Sequence, residues 1–447
     1  MKLFLSSVLI LVLFALQDLK SQEFWSLDDC LNYALENNIQ LKRQELTSKI
    51  SENNYFQSLI DVAPDLVGFG RHNFSSGKTV NLEDYTYITT TFYDGYMGAQ
   101  SQLTLFNGFQ KINTIRQSKF NLLGSIEDIG KAKNNLVLNI TGAYLQILFN
   151  HELLEVATGQ LEVTGQQVDR TSKMVELGKI SKGELLEIQS QAAAEKLNVT
   201  NAQNQLILSY LSLIQLLRLD SIGDFKIIRP ENIDMDKEIL ITSVRSVYEY
   251  AKENFPQIKS AEYNLKSLEK DLAIARGQRS PQINLIGTMY SRYSELAPDP
   301  LDPTSTYALN KQFSNNLYKQ VSVNLNVPIF NRWLVQNRIS NAKINVLDAI
   351  YNLDQNKQIL YQEIQQAHAD ALAALEKYHS SFETVESREE AFYYTQQKFN
   401  VGLTNSVDYN IAKNNLTRAR SDLLQAKYEF IFKSKILDFY QGNPISL

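Results

Sequence analysis

A chain of 447 residues with 44 basic and 49 acidic side chains carries a net charge of −5, without the cationic excess of a nucleic-acid-binding protein. Its one cysteine, Cys30, excludes an intrachain disulfide and a cysteine-based zinc site. The 18 glycines and 9 prolines are roughly half the usual share, and so few breakers favour long helices.

The N-terminus reads as a signal peptide over residues 1–22. Lys2 is followed by the apolar run Leu3–Leu16 and the polar stretch Gln17–Gln22, with cleavage expected near Ser21 or Gln22. Cys30 lies in LDDC, which lacks the small residues of a lipoprotein signal. No later apolar run reaches the ~18 residues of a membrane helix, so an exported chain that crosses a membrane must do so with strands.

A first helix is expected over Ser26–Asp61. The strands of the first half are expected at Leu66–Phe74 and Tyr96–Phe106, the second with Ala99, Ser101, Leu103 and Leu105 on one face. No proline falls between positions 64 and 230, which leaves room for a long helix, a tip near Gly178 and a return helix. Ser221–Ile241 shows no clear period and reads as a connector. A helix over Thr242–Gly277 and a strand over Ile283–Tyr293 follow. Ile283, Leu285, Met289 and Tyr293 share one face of that strand.

The clearest strand is Gln320–Phe330. Val321, Val323, Leu325, Val327 and Ile329 point one way, and Gln320, Ser322, Asn324 and Asn326 the other. About 9–11 such residues cross a bilayer as a tilted strand, oily outside and wet inside. The loops Ser75–Gly95 and Ser294–Leu317 are long and polar. Tyr85, Tyr87, Phe92, Tyr93, Tyr96, Tyr290, Tyr293 and Tyr307 are expected to form an interfacial aromatic girdle. Trp333–Asn400 reads as one helix of about 100 Å, and Val407–Tyr440 as its return. Ala412, Leu416, Ala419, Leu423, Ala426 and Phe430 form a coiled-coil seam, and Ile339, Ala342, Val346, Ala349 and Leu353 another.

The chain repeats itself. An offset of 217 carries Tyr33, Ala34, Glu36, Asn37, Gln40 and Pro64 onto Tyr250, Ala251, Glu253, Asn254, Gln257 and Pro281. An offset of 224 then carries Phe106-Asn107 onto Phe330-Asn331 and Gly178 onto Gly402. The expected division is therefore a first repeat at 23–220, a connector at 221–241 and a second repeat at 242–447. A lipid-facing sheet must close, because an open edge leaves backbone groups unpaired in hydrocarbon. Two copies would give eight strands and a filled interior, and three would give twelve strands with a lumen.

The order of these parts resembles the TolC family of outer-membrane efflux and secretion channels over essentially the whole mature chain. The resemblance rests on the tandem repeat and on SLDDCLNYALENN at Ser26–Asn38, LTLFNG at Leu103–Gly108 and VPIFNRW at Val327–Trp333. The tips ELGKIS at Glu176–Ser181 and NVGLTNSVD at Asn400–Asp408 complete it. It implies a mainly α fold with transmembrane β: a homotrimer forming a twelve-stranded β-barrel and a long α-helical coiled-coil barrel in the periplasm. It further implies a passive exit duct in the bacterial outer membrane. The duct is coupled through a periplasmic adaptor, or membrane fusion protein, to an inner-membrane RND, ABC or MFS transporter.

In that family a VGL-type tip docks the adaptor. Val401, Gly402 and Leu403 match it directly; Leu177, Gly178 and Lys179 match less well, because lysine replaces an apolar residue. The family also carries acidic residues around the narrow periplasmic end. Asp408 matches the first such position, Ile411 stands where a second aspartate can occur, and Glu184 and Glu187 are the first-half candidates. The competing reading of Asp408 is a helix-start residue that favours the positive helix N-terminus.

No HExxH, phosphate loop or dinucleotide glycine motif is present. His72, His151, His368 and His379 are scattered, so neither an enzyme nor a cofactor is expected. The competing class is an exported periplasmic coiled-coil scaffold or adaptor without a barrel. It accounts for the helices but not for four strands in duplicated positions.

Overall fold

The computed structural model describes residues 24–80, 85–219, 225–230 and 243–446. The expected signal peptide and most of the connector lie outside these residues. The chain divides into two compact units. Of the described residues, those within 46–127 and 260–354 form one unit, which holds the main sheet; those within 24–45, 128–259 and 355–446 form the other.

The first half runs β1 (Phe24–Trp25), α1 (Leu27–Asn37), α2 (Ile39–Ile60), β2 (Val67–Val80), β3 (Tyr87–Phe106), α3 (Gln110–Glu176) and α4 (Lys182–Leu217). A short β4 (Lys226–Ile227) leads to the second half. There the order is α5 (Val244–Asn254), α6 (Pro256–Gly277), β5 (Gln282–Ser294), β6 (Pro298–Asp299) and β7 (Asp302–Thr306). It continues with α7 (Leu309–Asn315), β8 (Tyr318–Asn326), α8 (Leu334–Asn400) and α9 (Ser406–Tyr440).

The halves repeat element for element. α1 and α5 each have 11 residues, α2 and α6 each 22, and α3 and α8 each 67. Each long helix is entered through two left-handed residues, Gly108 and Phe109 (φ 65° and 60°) in one half, Arg332 and Trp333 (54° and 66°) in the other.

Three expectations need correction. First, neither leading helix is continuous. Asn38 (φ −66°, ψ 125°) ends α1, and its Oδ1 accepts the amides of Gln40 and Leu41 to start α2. In the second half Pro256 forces Phe255 out of the helical region and begins α6.

Second, the strand limits move. β2 and β3 run on through most of the expected loop Ser75–Gly95 and pair without interruption from Val67↔Gln100 to Val80↔Tyr87. That stretch is rich in Thr, Tyr and Phe, which favour strands, but is too polar to announce itself by alternation. β8 stops at Asn326, short of the expected Phe330, because Pro328 has no amide for the ladder. The loop after β5 contains the β6–β7 pair and α7. The third correction concerns the aromatic residues and follows from the two faces of the sheet.

The sheet is antiparallel in the order β2-β3-β5-β8. Cross-strand register sorts its side chains into two sets. Val321, Val323 and Leu325 lie opposite Gly287, Leu285 and Ile283, and Leu103 and Ala99 lie opposite Leu285 and Met289. The other face carries Gln320, Ser322, Asn324, Thr288, Asn284, Gln100, Gln102 and Thr104. Along β3 the apolar-face positions Tyr87, Thr89, Thr91, Tyr93 and Met97 are exposed, while Ile88, Thr90, Phe92, Asp94 and Tyr96 are half-buried. The sheet therefore curls toward its polar face.

Only part of the expected girdle lies on the convex apolar face: Tyr87, Tyr93 and Tyr293. Phe92, Tyr96 and Tyr290 alternate onto the concave face. Tyr307 is buried in the loop, and Tyr85 precedes β3 in a left-handed conformation (φ 61°).

In the helical unit the core is built around α1, the middle of α3, the C-terminal end of α4 and the second half of α9. It includes Cys30, Ile140, Tyr144, Leu213, Leu217 and Ile431. β1 pairs in parallel with β4, and the Tyr144 hydroxyl donates to the Ile228 carbonyl at 2.6 Å, fastening that pair to α3. Burial, with Asp29 adding to it, pushes the Cys30 thiol up to about 12, which leaves it a packing residue and not a nucleophile. Leu416, Ala419, Ala426 and Phe430 of the seam are buried, with Ala412 and Leu423 half-buried.

Candidate functional site

Three features stand out: a two-faced sheet, a pair of helix-hairpin tips, and the polar groups that tie the hairpins together.

The sheet comes first. Its convex face presents aliphatic side chains, and its concave face presents amides and hydroxyls. Within the chain both outer strands, β2 and β8, are sheet edges. No described helix is long and apolar enough to cross a membrane.

The tips share one backbone. At the first, the Gly178 amide donates to the Val175 carbonyl and the Lys179 amide to the Met174 carbonyl, both at 2.9 Å. At the second, Gly402 donates to Phe399 at 3.1 Å and Leu403 to Lys398 at 2.8 Å. This is the Schellman closure, and it places the glycine in the left-handed region: φ is 70° at Gly178 and 77° at Gly402. An N-cap follows three residues later. Ser181 Oγ accepts the Glu184 amide at 3.3 Å, and Asn405 Oδ1 accepts the Asp408 amide at 2.8 Å. Leu177, Lys179, Val401 and Leu403 all project from these turns and are exposed.

Glu184 and Asp408 sit in the first turn of the return helices, and Glu187 lies about one turn beyond Glu184. Glu184 is half-buried; Glu187 and Asp408 are exposed. The Asp408 carboxylate accepts the Thr404 hydroxyl at 3.0 Å, so within one chain it does the work of a helix-start residue. Ile411 is exposed one turn on.

A polar cluster escaped the sequence reading. Lys413 of α9 and Glu195 of α4 face each other at 3.4 Å, each side chain only 4% exposed. Thr164 of α3 donates its hydroxyl to Glu195 and accepts from the Lys413 ammonium. Gln191 donates to Glu195 at 2.9 Å and to Asn414 at 3.1 Å. Burial lowers the Lys413 pKa, and the Glu195 carboxylate works against that shift. Three helices, two from the first hairpin and one from the second, thus share one buried ion pair. The one available signal was the position of Lys413 directly after the seam residue Ala412, where a charge on an otherwise packed face needs a partner.

Among the described residues no three His, Cys, Asp or Glu side chains come together as a metal site.

A duplicated unit in which a two-faced antiparallel sheet alternates with very long helix hairpins is the fold of the TolC-type outer-membrane channels. Residues 30–217 and 247–441 match the family model for the outer membrane efflux protein, and the chain belongs to that family. It is 21% identical over 331 residues to protein CyaE of Bordetella pertussis, covering 73% of this chain and 65% of that one. Against outer membrane protein TolC of Escherichia coli the figures are 19% over 299 residues, 67% of this chain and 59% of the relative. Each of these two matches spans less than two thirds of the relative. Against the outer membrane efflux protein BepC of Brucella suis identity is 20%, over 92% of this chain and 84% of the relative. Solved structures of similar fold include CusC, with a TM-score of 0.81 at 18% identity over 96% of both chains. The open-state MtrE outer membrane channel of Neisseria gonorrhoeae gives 0.74 at 17% identity, over 94% of this chain and 91% of that one. At such identities the structural likeness concerns the fold alone.

Proposed function

We propose that this chain is an outer-membrane channel whose three copies close one twelve-stranded barrel. In this reading it is the passive exit duct of a tripartite efflux pump or type I secretion system. The observation that carries the proposal is the sheet: four strands, apolar on the convex face, polar on the concave face and open at both edges. In hydrocarbon an unpaired edge costs several kcal/mol per group, so β8 of one copy pairs with β2 of the next. A concave face of amides and hydroxyls calls for water inside, which an eight-stranded barrel of two copies has no room for.

The apolar second tip, Val401–Gly402–Leu403, docks the hairpin of a periplasmic adaptor, with Leu177–Gly178–Lys179 as the weaker partner. An inner-membrane transporter of the RND, ABC or MFS kind supplies the energy. Asp408 and Glu184, repeated in each copy, place carboxylates around the periplasmic mouth and favour cations there. A periplasmic scaffold without a barrel leaves the apolar convex face of the sheet without a purpose.

The test is the mass of the detergent-purified protein by light scattering, together with its conductance in a planar bilayer. A particle of three 51.1 kDa chains, less their signal peptides, that opens discrete pores is expected. A folded single-chain particle, or a trimer that conducts nothing with its periplasmic end opened by Asp408→Ala, sinks the reading.

A further inference from the structure

The concave face carries rings that a membrane girdle does not explain. Girdle aromatics belong on the lipid side. Phe74, Tyr93 and Tyr293 are there, with His72 bonded to the Tyr293 hydroxyl and stacked on Tyr93. Phe69, Tyr96, Tyr290 and Tyr318 alternate onto the opposite, polar face.

They are arranged in two adjacent rows. In one, Arg71 lies directly opposite Tyr96, and Tyr96 opposite Arg292. The Arg71 guanidinium stands 5.7 Å from the Tyr96 ring centre. In the next row Phe69, Gly98, Tyr290 and Tyr318 face one another across all four strands. Phe69 meets Tyr96 edge-on at 5.9 Å, and Tyr290 meets Tyr318 at 5.2 Å. Gly98 is required between them, since a Cβ there would sit 2.6 Å from the Tyr290 Cβ.

The charges are unbalanced. Neither Arg71 nor Arg292 forms an ion pair among the described residues, and both are exposed. Two guanidinium groups stand against the concave-face carboxylate of Asp94, which is held by neutral donors, Asn73 at 3.0 Å and Ser75 at 3.4 Å, while Glu295 accepts the Tyr93 amide at 2.8 Å.

We propose that Arg71, Arg292 and the rings Phe69, Tyr96, Tyr290 and Tyr318 form a binding band inside the barrel for flat aromatic anions, carboxylates or sulfonates, on their way out. This rests on the channel reading above, in which the concave face lines the lumen. A planar guanidinium pairs with two acceptor oxygens of such a group while the ligand's rings stack on tyrosine. A charge-only band would need no rings, and an aromatic band for neutral cargo would need no arginines. Each copy contributes the same band, so one lumen would hold it three times over.

The test is a fluorescence-anisotropy titration of pyrenetetrasulfonate with the detergent-purified protein, its assembly checked by light scattering. Saturable binding is expected, and the double variant Arg71→Gln/Arg292→Gln should weaken it by at least about tenfold. Tyr96→Leu/Tyr290→Leu should weaken it by about three- to tenfold, the range of one or two lost stacking contacts. Citrate, an anion without rings, should displace the dye only at concentrations at least about tenfold higher than benzenetricarboxylate needs. The convex-face pair Lys78→Gln/Lys319→Gln removes the same two positive charges from the opposite face, controls for fold and net charge, and should leave the affinity unchanged. A trimer that does not bind the dye, an equal loss in the convex-face pair, or citrate competing as well as the aromatic acid overturns the band and leaves the channel standing. A single-chain particle overturns the channel reading and the band with it.

Discussion

At the first hairpin tip Gly178 turns the chain between Leu177 and Lys179; at the second Gly402 turns it between Val401 and Leu403. Both glycines have φ near 70–77°, and both turns close with the same pair of backbone bonds. Both lead into a helix through a capping side chain three residues on. Backbone and caps are thus common property of the two halves and explain the glycine in each. What differs is the chemistry presented to a partner. The second tip offers two apolar side chains, 69% and 77% exposed, where the first offers one and an ammonium group. On the adaptor-docking proposal recognition resides in Val401 and Leu403, while the turn resides in the glycines.

The largest expected effect tests that division. Leu403→Asp should abolish capture of the adaptor and the efflux that depends on it, with trimer yield unchanged. Lys179→Asp should leave most of the efflux. Co-purification with the adaptor and a drug-susceptibility assay measure both. Equal loss from the two substitutions would mean that the tips act alike and that the apolar pair has no special part.

The halves differ next in what lies buried. The offset of 224 that superposes the hairpins places Ala419 where the first half has Glu195, and Gln189 where the second has Lys413. The ion pair therefore has no counterpart: it is a tie from one hairpin to the other. Lys413→Met leaves Glu195 buried and unpaired, at a cost of about 3–5 kcal/mol. Lys413→Met/Glu195→Met should recover most of this, because two apolar chains of similar volume need no partner. Thermal or denaturant unfolding of the purified protein reads both. A single variant as stable as the parent would show the pair to be solvated.

Much of this was legible in the chain. The repeat, the strand around Val321–Leu325 and the seam through Leu416 and Ala426 follow from period and offset, because lipid and helix packing each impose a strict spacing on apolar side chains. Three things were not. The hairpin end Thr89–Asp94 carries threonine and an aromatic ring on each face, so it lacks alternation. The concave-face rings Tyr96 and Tyr290 look like any girdle residue until the register is known, since one position decides the face. The partner of Lys413 is 218 residues away, and local pattern carries no trace of such a pair.

Smaller effects follow where the two tips are the same. A Cβ added at Gly178 or at Gly402 meets nothing within 4 Å, so alanine pays only for its left-handed backbone. Gly178→Ala and Gly402→Ala should each cost about 1–2 kcal/mol, and equally. Unequal costs in unfolding measurements would break the backbone equivalence of the halves.

The smallest effect lies at the start of each half. Ser26 caps α1 in a closed box: its hydroxyl accepts the Asp29 amide at 3.1 Å, and the Asp29 carboxylate accepts the Ser26 amide at 2.9 Å. The matching residues are Ser243 and Ser246, where Ser246 gives its amide to the cap at 3.4 Å and its hydroxyl to the Ser243 carbonyl at 2.8 Å. Only the first box can titrate. The side-chain bond to Ser26, then the backbone bond, holds the Asp29 carboxyl below its ordinary value of 3.8. A lowered folded-state pKa means that the box contributes fully above the ordinary value and is lost as pH falls through the lowered one. Amides of Leu27–Asn37 should therefore lose protection in strong acid, after correction for intrinsic exchange, while those of Val244–Asn254 keep theirs. Asp29→Ser should make the first helix behave like the second. Pulse-labelled hydrogen exchange read by mass spectrometry resolves the two segments. If both lose protection together, acid acts on the helical unit as a whole and the boxes are equivalent.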